Sequence, residues 1–297
     1  MAEPWVDRLI RRQQWIDGVA DFLQAAVGGF YAALGRPGRL LKDTLHGTRV
    51  LGHPLHPALT DVPIGAWTVA VVADITAHYT DRLPTEAGDV ALAVGLVASL
   101  LTALTGYTDF HETIDHERRV AATHGLIMTI VVALMTVSMG LRWWAAPSAH
   151  ALAVGLSIAG YALLITGSFL GGHLVFAIGT TVNRNAFAEG PQEFVPIGVS
   201  TDFGQDTLTR VMAGTMPVLV VRRGNLLRAL AATCSHAGGP LDEGTLDGDI
   251  VTCPWHGSRF CMRDGRVRGG PATFPQPSLV VREVDGRVEV KLAAPLH

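Results

Sequence analysis

The sequence predicts two parts: a membrane α-helical bundle of four transmembrane helices, then an all-β sandwich domain. Three observations carry this. Of 297 residues, 48% are hydrophobic and only 16% charged, with mean hydropathy +0.31. The apolar excess lies almost wholly between residues 51 and 182, in runs near the ~20 residues that cross a bilayer as helix. After residue 192 the chain changes to short β-type runs broken by glycine and proline, the pattern of a sandwich.

The expected spans are residues 62–79, 90–108, 120–141 and 151–182, and the last three contain no Asp, Glu, Lys or Arg. The fourth is long enough to tilt or to continue past the lipid. Within it, Gly167-x-x-x-Gly171 permits close helix approach and indicates packing rather than chemistry. Before the spans, Trp5, Leu9, Trp15, Ile16, Val19, Phe22, Leu23 and Tyr31 fall near helical spacing, with Arg8, Arg11, Arg12 and Asp17 between them. That pattern suits an amphipathic helix in the membrane interface. The divisions expected are 1–50 (N-terminal interfacial segment), 51–182 (transmembrane domain), 183–192 (linker) and 193–297 (β domain).

An even number of crossings puts both termini on one side. Arg39, Lys42, Arg49, Arg118, Arg119 and Arg184 flank that side, against Arg82 and Arg142 on the other, which favours cytoplasmic termini. The first residues lack the continuous apolar core of a cleavable leader. Acids and bases balance in the β domain and net charge is −3, so nucleic acid is not an expected partner. Cys234, Cys253 and Cys261 allow no disulfide framework, in keeping with a reducing compartment.

The β runs PVLVVRRG, LLRALAAT, DIVTCPW, SLVVREV and RVEVKL enclose CSHAGGPLDEGTLDGDIVTCPWHG, residues 234–257. It pairs Cys234-x-His236 with Cys253-x-x-His256. Thiolate and imidazole ligands in this number fit a structural Cys₂His₂ zinc site or an iron–sulfur centre with two ligands of each kind. Zinc fingers usually pair Cys with Cys and His with His along the chain, whereas here the order is interleaved.

With Gly257–Ser258 and Gly270–Pro271–Ala272, the motif resembles the Rieske [2Fe–2S] domain of the ferredoxin and oxygenase type. The resemblance implies that Cys234 and Cys253 bind one iron and His236 and His256 the other. Neutral imidazoles leave less negative charge at the cluster and raise its potential. Respiratory members have a disulfide between positions that are Gly239 and Trp255 here, so that bridge is absent. Ser258 matches a serine that donates to a cluster sulfide, and Phe260 stands where a hydrogen-bonding tyrosine occurs. Fewer bonds to sulfur imply a potential in the lower part of the ~−150 to +300 mV Rieske range. Cys261, in a β-type run, reads as a buried inert thiol.

Residues 45–67, LHGTRVLGHPLHPALTDVPIGAW, with Gly106–Tyr107–Thr108–Asp109 and His124, resemble the DUF2231 family of four-helix membrane proteins, which carries no settled activity. His53, His56, His111, His116, His124 and His173 all fall toward the expected cytoplasmic end, and Asp61 lies just inside the first span. Ionisable groups at membrane depth usually mark function. One reading is b-type haem held by His124 with His173 or His56; another is a quinone site lined by the same residues. A third is an interfacial turn with the histidines bonded to backbone or to Asp61 and Asp109.

Asp109, His111 and His116 resemble only weakly the carboxylate and two histidines of mononuclear iron oxygenases. No dinucleotide motif or nucleophile triad is evident, so no substrate-converting site is expected. The function expected is one-electron transfer between a soluble redox partner and a membrane acceptor, haem or quinone. The alternatives are a Rieske ferredoxin of an oxygenase on a plain membrane anchor, and a redox-sensing membrane protein.

Overall fold

The structure, a computed structural model, describes residues 5–48, 51–80 and 84–293; Arg49 and Arg82, used in the charge argument above, lie outside the described residues. The chain forms two compact units, one of Met1–Arg39 with Leu55–Ile178, the other of Leu40–Pro54 with Gly179–His297. The sequence boundaries at 50/51 and 182/183 therefore shift. Leu40–Pro54 joins the β unit through polar contacts that hydropathy does not register.

The first unit contains α1 (Trp5–Arg11), α2 (Trp15–Ala33), the start of α3 (Gly35–Leu45), α4 (Leu55–Tyr79), α5 (Glu86–Phe110), α6 (Asp115–Trp144) and α7 (His150–His173). A π-helical turn, Leu174–Ile178, extends α7. The single amphipathic helix expected near the N-terminus is thus broken into pieces. The break lets Ile10 and Ile16 both bury in one cluster with Phe110, Val120 and Leu170. Trp5, Trp15 and Phe22 stay exposed.

Helices α4 to α7 are each long and apolar enough to cross a membrane. Apolar side chains such as Val69, Val97, Leu100 and Ile165 are exposed along them, as lipid-facing positions should be. Helix α4 packs on α5 and α6 on α7, with α5 beside α6 and α4 beside α7, so α4 and α6 lie diagonally.

The two hairpins α4–α5 and α6–α7 repeat each other. Trp67 of α4 fills the space over Gly95 of α5, and Met135 of α6 fills that over Gly160 of α7. The offset is 68 residues between the first helices and 65 between the second. By the same offsets Asp74 corresponds to Arg142, and these two meet. Arg142 Nη2 donates to Asp74 Oδ2 at 2.6 Å, Nη1 donates to Asp89 Oδ1 at 2.8 Å, and Nη2 also reaches Ser157 Oγ at 3.2 Å. Arg142 is therefore a sealed, compensated charge inside the bundle and not the loop cation assumed for topology.

In the second unit, a six-stranded antiparallel sheet has the order β1-β10-β9-β4-β3-β2 and a four-stranded one the order β5-β6-β7-β8. These strands are β1 (Val195–Val199), β2 (Thr209–Ala213), β3 (Met216–Arg223), β4 (Leu226–Ala231), β5 (Thr245–Asp247), β6 (Ile250–Thr252), β7 (Arg259–Cys261), β8 (Val267–Gly269), β9 (Ser278–Val284) and β10 (Arg287–Leu292). Strand β3 is buried on both faces, which explains its unbroken apolar run. Leu219 and Val221 enter one core with Phe260 and Leu241. Val218 and Val220 enter another with Phe203 and Val288. The short sheet presents three loops: 232–244 after β4, 253–258 after β6 and 270–277 after β8.

Candidate metal centre

The first two loops are built alike. Each begins at a cysteine whose carbonyl accepts from the glycine four residues on: Gly238 N to Cys234 O at 2.9 Å, Gly257 N to Cys253 O at 3.1 Å. Each cysteine N–H donates to the carbonyl five residues on, Gly239 O and Ser258 O, both at 2.8 Å. Gly238 and Gly257 have φ of +83° and +70°, a left-handed conformation in which a Cβ would be strained. Two identical turns thus bring Cys-x-His and Cys-x-x-His together.

The loops present paired groups. Cys234 and Cys253 are buried and hydrogen-bonded to each other. The His236 and His256 rings lie 4.9 Å apart between centroids. The bond from Cys234 is the main cause holding the Cys253 thiol down to about 7. The same bond and burial push Cys234 up. Backbone N–H groups of His236 and Ala237 favour the Cys234 thiolate, and those of Trp255 and His256 favour that of Cys253. Burial first, then His256, His46 and Arg184, depress His236 to about 3, so it is neutral, as a metal ligand must be. Its Nδ1 is buried without a hydrogen-bond partner.

These groups fit a binuclear centre. A pair of sulfurs beside a pair of imidazoles would give each of two irons two protein ligands. Gly239 and Trp255 adjoin, and a Cβ at 239 would lie 3.0 Å from Trp255 Cγ. The indole fills the space, and no sulfur is present there to crosslink. Ser258 Oγ, fully buried, accepts from Ala272 N at 3.2 Å, which leaves its hydroxyl hydrogen free to donate.

A family profile for the Rieske [2Fe–2S] domain matches residues 193–284. Ferredoxin CarAc of Metapseudomonas resinovorans is 35% identical over 100 residues, which are 33% of this chain and 94% of the relative. The chain belongs to the Rieske [2Fe–2S] family. A second profile, for a predicted membrane protein (DUF2231), matches residues 52–184. The cytochrome b6-f complex iron-sulfur subunit of Chlorobaculum tepidum is 32% identical over 113 residues, 37% of this chain and 55% of the relative. A chain in the solved complex of reduced oxygenase and oxidized ferredoxin in carbazole 1,9a-dioxygenase is 34% identical, with TM-score 0.33. The match covers 36% of this chain and 99% of that one. The Rieske domain carries a [2Fe–2S] cluster, which when bound takes and returns one electron at a time.

Two sets of supporting residues were not legible in the motif. Gln276 is buried. Its Oε1 accepts from Ser235 N at 3.0 Å, and its Nε2 donates to Ala231 O at 2.7 Å and to Thr233 O. It thus fixes the first Rieske loop from the third. The other set lies in Leu40–Pro54. Asp43 Oδ1 accepts from Gly270 N at 3.1 Å, and Thr48 Oγ1 lies 3.1 Å from both Gly270 O and Ala272 O. Buried His46 acts electrostatically on His236, and the His53 ring meets Phe274 at 6.3 Å. Residues 183–192 are likewise tied down, by Arg184 N to Ser235 O at 3.0 Å and Asn185 Nδ2 to Thr233 O at 2.9 Å.

The bundle histidines sort differently from the sequence expectation. The His56 and His124 rings face each other, with centroids 6.4 Å apart. His173 does not join them: its Nε2 bonds Asp7 Oδ1 at 2.9 Å, which also takes His116 Nε2 at 2.6 Å. Asp7 comes from α1, a partner that no spacing in the spans could reveal. Although burial raises the Asp7 carboxyl, these two histidines hold it below its ordinary value. Asp109, His111 and His116 form no shared site: His116 belongs to α6 rather than a loop, and His111 Nδ1 bonds Gln24 O at 3.1 Å. Asp61 is exposed on α4.

Proposed function

We infer that Cys234 and Cys253 bind one iron of the cluster and His236 and His256 the other. On this reading the chain is a membrane-anchored electron carrier between a soluble redox partner and a membrane acceptor, haem or quinone. The observation that carries it is the pair of matched turns, which set two thiols and two imidazoles side by side. Cys234, Cys253 and Phe260 share one core, so the sulfur side is enclosed by apolar residues, and the paired imidazoles form the side at which a partner exchanges electrons. Ser258 and the backbone N–H groups supply the hydrogen bonds to sulfur. Without a tyrosine at 260 these are fewer, which places the potential in the lower part of the ~−150 to +300 mV range.

We place the Rieske domain and the N-terminus in the cytoplasm, on the strength of Arg39, Lys42, Arg118, Arg119 and Arg184 near one end of the spans. Lipid is the partner of the apolar flanks. Trp5 and Trp15 near one end and Trp143 and Trp144 at the other are exposed, as aromatic belts are. The likeness to the anthranilate 1,2-dioxygenase ferredoxin subunit of Burkholderia cepacia, 35% identical over 100 residues, 34% of this chain and 93% of the relative, favours a second reading, an oxygenase ferredoxin on a plain anchor.

The test is EPR of the reduced, detergent-purified chain. His236→Ala and His256→Ala should each abolish the Rieske signal, with a titrated wild-type midpoint in the lower part of the range. An unchanged signal in either variant would sink the ligand assignment.

A further inference from the structure

We propose that His56 and His124 are the two axial ligands of one b-type haem held inside the bundle. This rests on the electron-transfer reading above and names the membrane acceptor in it.

The two histidines are equivalent members of the hairpin repeat. His56 of α4 meets Thr102 O of α5 through Nδ1 at 2.9 Å; His124 of α6 meets Gly167 O of α7 through Nδ1 at 2.8 Å. Residues 56 and 124 differ by the same 68, and 102 and 167 by the same 65, that relate Trp67 to Met135 and Gly95 to Gly160. A carbonyl can only accept, so each Nδ1 carries the hydrogen and each Nε2 keeps its lone pair for a metal. Among the described residues neither Nε2 makes a hydrogen bond. Each ring thus keeps one nitrogen free of a hydrogen bond, as a metal ligand would.

The spacing decides what could lie between them. With a metal–nitrogen bond of ~2.0–2.1 Å and a ring centre ~1.2 Å beyond the nitrogen, two imidazoles on opposite sides of one metal have centroids ~6.4 Å apart. The rings stand 6.4 Å apart, inclined at 78°. A bare ion would need further protein ligands, yet among the described residues no third His, Cys, Asp or Glu joins the pair. A porphyrin brings its own four nitrogens and asks the protein for axial ligands only.

Glycines on α5 and α7 set where the two rings can lie. A Cβ at Gly106 would lie 2.7 Å from His56 Cε1, and one at Gly171 would lie 3.3 Å from His124 Cε1. These glycines, again 65 residues apart, let each ring lie close against the neighbouring helix. His173, occupied by Asp7, has no part in the site. Helix bundles build cofactor sites from facing side chains in this way.

The test uses the full chain from haem-replete cells in mild detergent. It reads haem stoichiometry, the reduced-minus-oxidised visible spectrum and the Rieske EPR signal. Expected is one low-spin b haem per chain. It should be lost or turned high-spin in His56→Ala and in His124→Ala, and unchanged in His173→Ala. His124→Met, able to ligate through sulfur, should keep haem with shifted bands. Three results would overturn the proposal: an intact Rieske signal with no haem in the wild type, zinc or copper in its place, or low-spin haem surviving both alanine variants. Loss of the Rieske signal itself would instead count against the cluster reading, so the two failures are distinguishable.

Discussion

Replacing Gln276 by leucine should release the cluster at much lower temperature, although Gln276 is not a ligand. Leucine has nearly the same volume, so little cavity forms. It removes the acceptor of Ser235 N and the donor to Ala231 O and Thr233 O. Leaving a buried polar group unsatisfied costs about 1–3 kcal/mol, less for carbonyls with a second lone pair. Thr233 O keeps its bond from Asn185 Nδ2, so two such groups remain and come to ~2–4 kcal/mol, a large part of the ~5–15 kcal/mol a domain has. At ~4–8 °C per kcal/mol for a domain of this size, cluster loss should occur at least ~8 °C lower. The assay is cluster absorbance during heating of the purified chain. Gln276→Glu separates shape from bonding: one carboxylate oxygen still accepts from Ser235, while the other faces two carbonyls. It should be at least as unstable at neutral pH and partly recover on acidification. A leucine variant that lost its cluster at the wild-type temperature would refute the claim that Gln276 holds the first loop.

Arg142→Met leaves Asp74 and Asp89 uncompensated inside the bundle and should cost ~3–5 kcal/mol. Thermal aggregation in detergent would report it, and the double variant with Asp74→Asn should recover part of the loss. Asp43→Ala removes the acceptor of Gly270 N, so chelators should strip the cluster faster than from wild type, while Asp43→Asn, which keeps an acceptor oxygen, should lie between. Asp7 is held below its ordinary value, so its contribution is present above about pH 4 and is lost as pH falls through the folded value. Hydrogen exchange over α1 should therefore rise on acidification in wild type, and Asp7→Asn should already exchange fast at neutral pH.

The four long apolar helices and the paired Cys-His loops were legible in the chain because each depends on local chemistry. A bilayer demands long apolar helices with every backbone group paired internally. A cysteine followed four residues later by a glycine in a left-handed turn carries its own geometry. The residues that hold the site in place were not legible. Gln276 stands 42 residues from Cys234, and Asp43 and Thr48 lie over two hundred residues from the loop they secure.

The histidines show the same division. The order of four crossings put six of them toward one expected end of the bundle, yet nothing along the chain distinguished His173 from His56 as a partner for His124. Packing decided it, by bringing Asp7 of α1 to His173 and setting the two halves of a repeat face to face. Likewise Arg142 read as a loop charge until Asp74 and Asp89 came to meet it. Sequence records which face of an element is apolar and which side chains can bind metal. Which face meets which is a property of long-range packing, and only the tertiary structure decides it.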